Sequence, residues 1–115
     1  MNEPRAARPR RFRISRRGQL ASGDHRFACL IQDISETGMF IICNYDLEIG
    51  LEVEVRFELE PGLHFEAKIK VRHIDEGCFG AEIIETDPDS GSNWKQFLEK
   101  SFAGQSKLFE RRVHL

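Results

Sequence analysis

A sustained two-residue period in the middle of the chain constrains the fold more than any other feature. Leu51, Val53, Val55, Phe57 and Leu59 alternate with Glu52, Glu54, Arg56 and Glu58, and beyond Glu60-Pro61-Gly62-Leu63 the alternation resumes as Phe65, Ala67, Ile69 and Val71 against Glu66, Lys68, Lys70 and Arg72. Successive side chains of an extended strand point to opposite faces, so the pattern predicts two strands, each with one buried and one wet face. The Pro-Gly turn joins them into a long antiparallel hairpin. Its outer faces are mostly acidic on the first strand and basic on the second, which favours one cross-strand register.

Other strand signals flank this hairpin. Ile14 to Ala21, Arg26 to Ile34 and Met39 to Asn44 precede it, separated by Ser22-Gly23-Asp24-His25 and Ser35-Glu36-Thr37-Gly38. After Asp75-Glu76-Gly77, Cys78 to Glu85 reads as a further strand, in which Gly80 predicts a bulge or a close backbone approach. Six short strands with turn signals between them predict a mainly β fold: a closed or nearly closed antiparallel barrel, which removes exposed edges. The period then becomes helical. Asp87 to Ser92 reads as a loop ending in an N-cap, and Trp94, Phe97, Leu98, Ser101 and Phe102 share one helical face until Gly104 supplies a stop. This C-terminal α-helix is expected to pack across the barrel.

A chain of 115 residues suits one domain, whose core can form without disulfides or a structural metal. The longest apolar run, Gly38 to Cys43, falls far short of the roughly 20 residues that span a bilayer, and no hydrophobic signal segment opens the chain. The expectation is a soluble cytoplasmic protein with no membrane span. Cys29, Cys43 and Cys78 are odd in number, form no C-x-x-C pair and sit among apolar neighbours, as reduced core residues do.

The net charge of −2 hides an asymmetry. Residues 1–20 carry Arg5, Arg8, Arg10, Arg11, Arg13, Arg16 and Arg17 against Glu3, or +6, and the remainder carries −8. Arginine presents a planar fork of donors that engages phosphate or a guanine edge at two points and stacks on flat rings. Such an arm also fits a solubilising tail or a nonspecific nucleic-acid patch. The scattered His25, His64, His73 and His114 form no metal motif, and neither G-x-G-x-x-G nor a Walker-type Gly-Lys-Ser/Thr occurs. No catalytic constellation or cofactor cradle stands out, so an enzyme is not expected.

Gln32-Asp33-Ile34-Ser35-Glu36-Thr37-Gly38-Met39 contains a D-x-S-x-x-G pattern joining two strands. By itself it is a turn in which Asp and Ser cap local backbone groups and Gly38 permits positive φ. Here it follows the Arg-rich arm and precedes a hairpin, a Gly-containing strand and a closing helix, and the combination is more specific than its parts.

With Arg10-Arg11-Phe12-Arg13-Ile14, Asp33-x-Ser35-x-x-Gly38 and Gly77-Cys78-Phe79-Gly80-Ala81-Glu82-Ile83, the sequence resembles the PilZ family of six-stranded barrels that bind bacterial cyclic di-GMP. The likeness runs from about Arg8 to Phe102. It implies an Arg-rich flexible ligand-binding arm at residues 1–13, a PilZ barrel plus helix at 14–104 and a tail at 105–115 that can form a short helix. It also implies a cyclic di-GMP site built from Arg8, Arg10, Arg11, Arg13, Asp33, Ser35 and Gly38. Arg13 matches the family's second motif arginine. Pro9 stands where the first would fall, so that role passes to Arg8, Arg10 or Arg11 with a one-residue change in loop length, and Arg17 is held in reserve. Guanidinium groups suit the ligand's phosphates and guanines, a carboxylate such as Asp33 accepts a guanine donor edge, Ser35 offers a hydroxyl and Gly38 admits close backbone. The resemblance implies a monomer or weak dimer that signals to an unidentified effector protein in motility or biofilm control. Two other readings stay open: an adaptor acting without nucleotide, and, less favoured, a nonspecific nucleic-acid binder.

Overall fold

The computed structural model describes residues 11–113, with side chains through Ala103. Arg8 and Arg10 lie outside the described residues. Six strands, β1 (Phe12–Ser22), β2 (His25–Ile34), β3 (Gly38–Ile42), β4 (Glu52–Glu60), β5 (Leu63–Asp75) and β6 (Cys78–Thr86), precede one helix, α1 (Pro88–Val113). They close into an antiparallel barrel in the order β1-β2-β3-β6-β5-β4.

The β4–β5 hairpin shows why the two-residue period fixes this fold. Val53 faces Ile69, Val55 faces Ala67 and Phe57 faces Phe65 on the inside, while Glu52, Glu54 and Arg56 face Lys70, Lys68 and Glu66 outside. Every one of those outer pairs joins opposite charges, and Arg56 and Glu66 form an ion pair. At the turn, Gly62 takes a φ of 83°, a conformation costly to any residue with a Cβ. The Glu58 carboxylate accepts the Gly62 N–H at 3.0 Å.

The core gathers Leu20, Ile31, Ile34, Ile41, Phe65 and Ile69, each at most 1% exposed. The helix closes one side of it. Trp94, Phe97 and Leu98 are buried, and the Trp94 ring lies 4.4 Å from Phe65 and edge-on to Phe57.

Both helix boundaries differ from the sequence expectation. The segment 87–92 is not a loop: Asp87 caps the helix, its Oδ1 accepting the Ser90 N–H at 2.7 Å, and Pro88 occupies the first turn, where its missing N–H costs nothing. Buried Ser90 also accepts the Glu66 N–H at 3.0 Å, tying the helix start to β5. At the other end α1 runs through Gly104 to Val113, so 105–113 continue the helix and form no separate one. An interior glycine costs only about 1 kcal/mol relative to alanine, and Gln105, Lys107, Leu108, Glu110, Arg111 and Arg112 are strong helix formers. Strand β1 starts at Phe12, which places Arg13 in the barrel and not in the arm.

Candidate functional site

The turn between β2 and β3 is held from several directions. Ser35 and Gly38 bond reciprocally: the Ser35 N–H donates to the Gly38 carbonyl at 2.9 Å, and the Gly38 N–H donates to Ser35 Oγ at 3.2 Å. The Trp94 indole N–H donates to the Ser35 carbonyl at 3.2 Å, and the Ile83 N–H donates to the Thr37 carbonyl at 2.9 Å. The serine hydroxyl thus builds the turn. Gly38 is needed for a reason other than the one expected. Its φ is not positive; a Cβ there would lie 2.2 Å from the Ala81 carbonyl oxygen, closer than any contact tolerates.

Cross-strand register lays the neighbouring side chains in a single row over the barrel's outer face. Arg13 faces Asp33, Asp33 faces Phe40, Phe40 faces Gly80 and Gly80 faces His73, so five strands contribute in order β1, β2, β3, β6 and β5. Beside the register shift between Ile31 and Asp33, two more irregularities lie along the row. Between Arg13 and Arg16 the register against β2 shifts, and Ser15 there has a φ of 53°; Arg13 stands outside and Ile14 in the core. Between Val71 and His73 a second irregularity turns both Arg72 and His73 outward.

An open groove of about 700 Å³ runs along this row. Arg11, Asp33, Ser35 and Gly38 line it on one side, and Arg72, His73 and Glu82 line the other, with Phe40 and Gly80 between. Arg13 joins through Asp33, its Nε 3.8 Å from Oδ1; the arginine side chain is 73% exposed and the aspartate 19%. So long a contact on so exposed a partner leaves the Arg13 guanidinium free to turn to another anion.

A PilZ domain family model matches residues 3–100. The chain belongs to the PilZ domain family. None of the curated proteins matches it in sequence. Among solved structures it is similar to the Bacillus subtilis inhibitor of motility MotI/DgrA, at 14% identity and a TM-score of 0.67 over 87% of this chain and 51% of that one. It is also similar to the PilZ domain of CeSA from a cellulose-synthesizing bacterium, at 13% identity and a TM-score of 0.63 over 84% of this chain and 98% of that one. A third, K. pneumonia MrkH in its apo state, gives 12% identity and a TM-score of 0.69 over 93% of this chain and 54% of that one. At these identities the shared property is the fold, and the chain spans about half the length of the first and third.

Within this PilZ barrel the arginines of β1 have separate surroundings. Arg16 is committed to the barrel, its Nε donating to the Leu59 carbonyl at 3.0 Å. Arg17, the reserve candidate, lies beside Leu30 on a different groove with Phe27 and Tyr45, away from Asp33. Sequence reasoning did not single out Phe40, Arg72, His73 or Glu82. The signal available was the break in alternation at Arg72-His73, two polar residues in succession opposite Gly80. Gly80 does not mark a tight approach, since a Cβ there would sit 3.7 Å from His73 Cβ and 3.9 Å from Phe40 Cδ1; it leaves the floor of the groove bare. Among the described residues no cluster of His, Cys, Asp and Glu could hold a metal, and no helix is long and apolar enough to cross a membrane.

Proposed function

We propose that this PilZ domain is a non-enzymatic receptor for cyclic di-GMP, with the ligand seated on the groove between Arg11 and Arg72. The observation that supports the reading best is the row itself: Arg13 and Asp33 are direct cross-strand neighbours beside the Ser35–Gly38 turn. The Asp33 carboxylate accepts the N1–H and N2–H₂ donor edge of a guanine, and Arg13 then turns to phosphate. Phe40 and the bare Gly80 offer a flat surface against which a purine can lie. Arg8, Arg10 and Arg11 supply the remaining guanidinium groups from the arm, and ligand bound between arm and barrel alters the surface shown to an effector protein in motility or biofilm control.

Calorimetric titration with cyclic di-GMP, with GMP and a short single-stranded oligonucleotide as controls, tests the assignment. Binding of the cyclic dinucleotide alone, lost in Asp33→Ala, is the expected result. A folded protein that gives no heat supports the adaptor, and oligonucleotide binding that collapses with salt and survives Asp33→Ala supports the nucleic-acid binder.

A further inference from the structure

The far wall of the groove carries an ion pair for which the receptor reading has so far no use. Arg72 projects from the β5 bulge, and its Nε donates to Glu82 Oε1 at 2.8 Å while a terminal nitrogen reaches the same oxygen. Glu82 stands next to Gly38 in the β3–β6 register and opposite Lys70 in the β5–β6 register. Because residue 38 has no side chain, the Glu82 carboxylate sits directly beside the turn that carries Asp33 and Ser35.

The charge balance of the wall makes this pair matter. Arg11 and Arg72 are cancelled by Asp33 and Glu82, so within the described lining of the groove only Arg13 at its edge is left to offer a dianionic ligand attraction. The pair is nonetheless poised to open. Its side chains are 55% and 44% exposed, where ion pairs are weak, and both guanidinium contacts converge on one carboxylate oxygen instead of forming a parallel fork. A phosphate offers that fork two oxygens at once.

Resting on the receptor reading, we propose that Glu82 restrains Arg72 as a reserve anion contact, and that ligand entry transfers the Arg72 guanidinium from the Glu82 carboxylate to a phosphate. Glu82 then sets the affinity of the site by competing for its own arginine. The exchange moves a side chain and breaks no covalent bond.

Titration of the full chain with cyclic di-GMP, for wild type, Glu82→Gln, Arg72→Ala and the double variant, tests the exchange, with Asp33→Ala as reference. Glu82→Gln keeps the shape of the side chain and is expected to tighten binding by up to about fivefold, the upper end of the range for one exposed ion pair. Arg72→Ala weakens it, and the gain from Glu82→Gln disappears in the Arg72→Ala background. Circular dichroism melts confirm that each variant is folded. Unchanged or weaker binding by Glu82→Gln overturns the exchange, as does a gain that persists without Arg72, which marks plain repulsion. If wild-type binding is lost in Asp33→Ala yet unmoved by Glu82→Gln, only the exchange fails; if no variant binds, wild type included, the receptor reading fails with it.

Discussion

Gly38 and Ala81 meet across β3 and β6 with no room for a methyl group, since a Cβ on residue 38 would lie 2.2 Å from the Ala81 carbonyl oxygen. The obstacle is backbone, so relief requires the two strands to part. Gly38→Ala is expected to lower stability by about 1–3 kcal/mol, the usual cost of overpacking, seen as a reduced urea midpoint with an unchanged slope. Gly80→Ala is the opposite case. Its Cβ would find only ordinary contacts with His73 and Phe40, and replacing a strand glycine gains about 0.5–1 kcal/mol. That variant should be more stable and yet bind cyclic di-GMP more weakly, because the methyl group rises from the groove floor.

Trp94 couples the helix to the site through one atom. Its indole N–H donates to the Ser35 carbonyl, while the ring packs on Phe65 in the core. Trp94→Phe retains much of the ring and removes the donor, and a stability loss of about 1 kcal/mol accompanied by weaker ligand binding is expected from chemical denaturation and calorimetry. Trp94→Ala adds a cavity and should cost about 3–5 kcal/mol. A Phe variant with full ligand affinity would show that the turn holds its shape without the helix.

The register of the β4–β5 hairpin was legible because two independent patterns, apolar alternation and opposite charges, point to the same pairing. The bulges were far less legible. At Ile31–Ile34 and Val71–His73 the chain leaves strict alternation, and which residue turns outward depends on neighbouring strands that local sequence does not specify. For that reason Asp33, Ser35 and Gly38, which the family resemblance points to, line the groove as expected, whereas Arg72, His73 and Glu82 emerged only from the ladder. The helix boundaries misled for a different reason. Pro88 and Gly104 read as breakers, but a proline in the first turn is free of cost and a single glycine is too weak a signal to end a helix among strong formers.

Cys29 gives the fold a distinct alkaline response. Burial, reinforced by the neighbouring Cys43, raises its thiol from 9.0 to about 12. The unfolded chain therefore releases this proton first, so the contribution to stability is complete below pH 9 and is lost as pH climbs toward 12. Within that window the loss reaches up to about 1.4 kcal/mol per pH unit. Urea unfolding of wild type and Cys29→Ala between pH 8 and about 11 should show a steeper decline for wild type. Identical slopes would mean that the thiol ionises in the folded barrel as readily as in the unfolded chain.

Arg13 and Arg17 provide the sharpest comparison, because they share a strand, a charge and an exposed side chain. Only their register differs: Arg13 faces Asp33, and Arg17 faces Leu30 one groove away. A receptor that uses the row loses affinity in Arg13→Ala by at least about tenfold, in line with a charge-assisted contact of about 1.5–3 kcal/mol, and keeps it in Arg17→Ala. Neither change should alter stability by more than about 0.5 kcal/mol, as both guanidinium groups are largely in water. Attraction of an anion by general positive charge makes a different forecast, since the two variants would then weaken binding equally and added salt would erase the difference from wild type. Titrations of both variants at two salt concentrations separate these outcomes, and equal losses would remove Arg13 from the site.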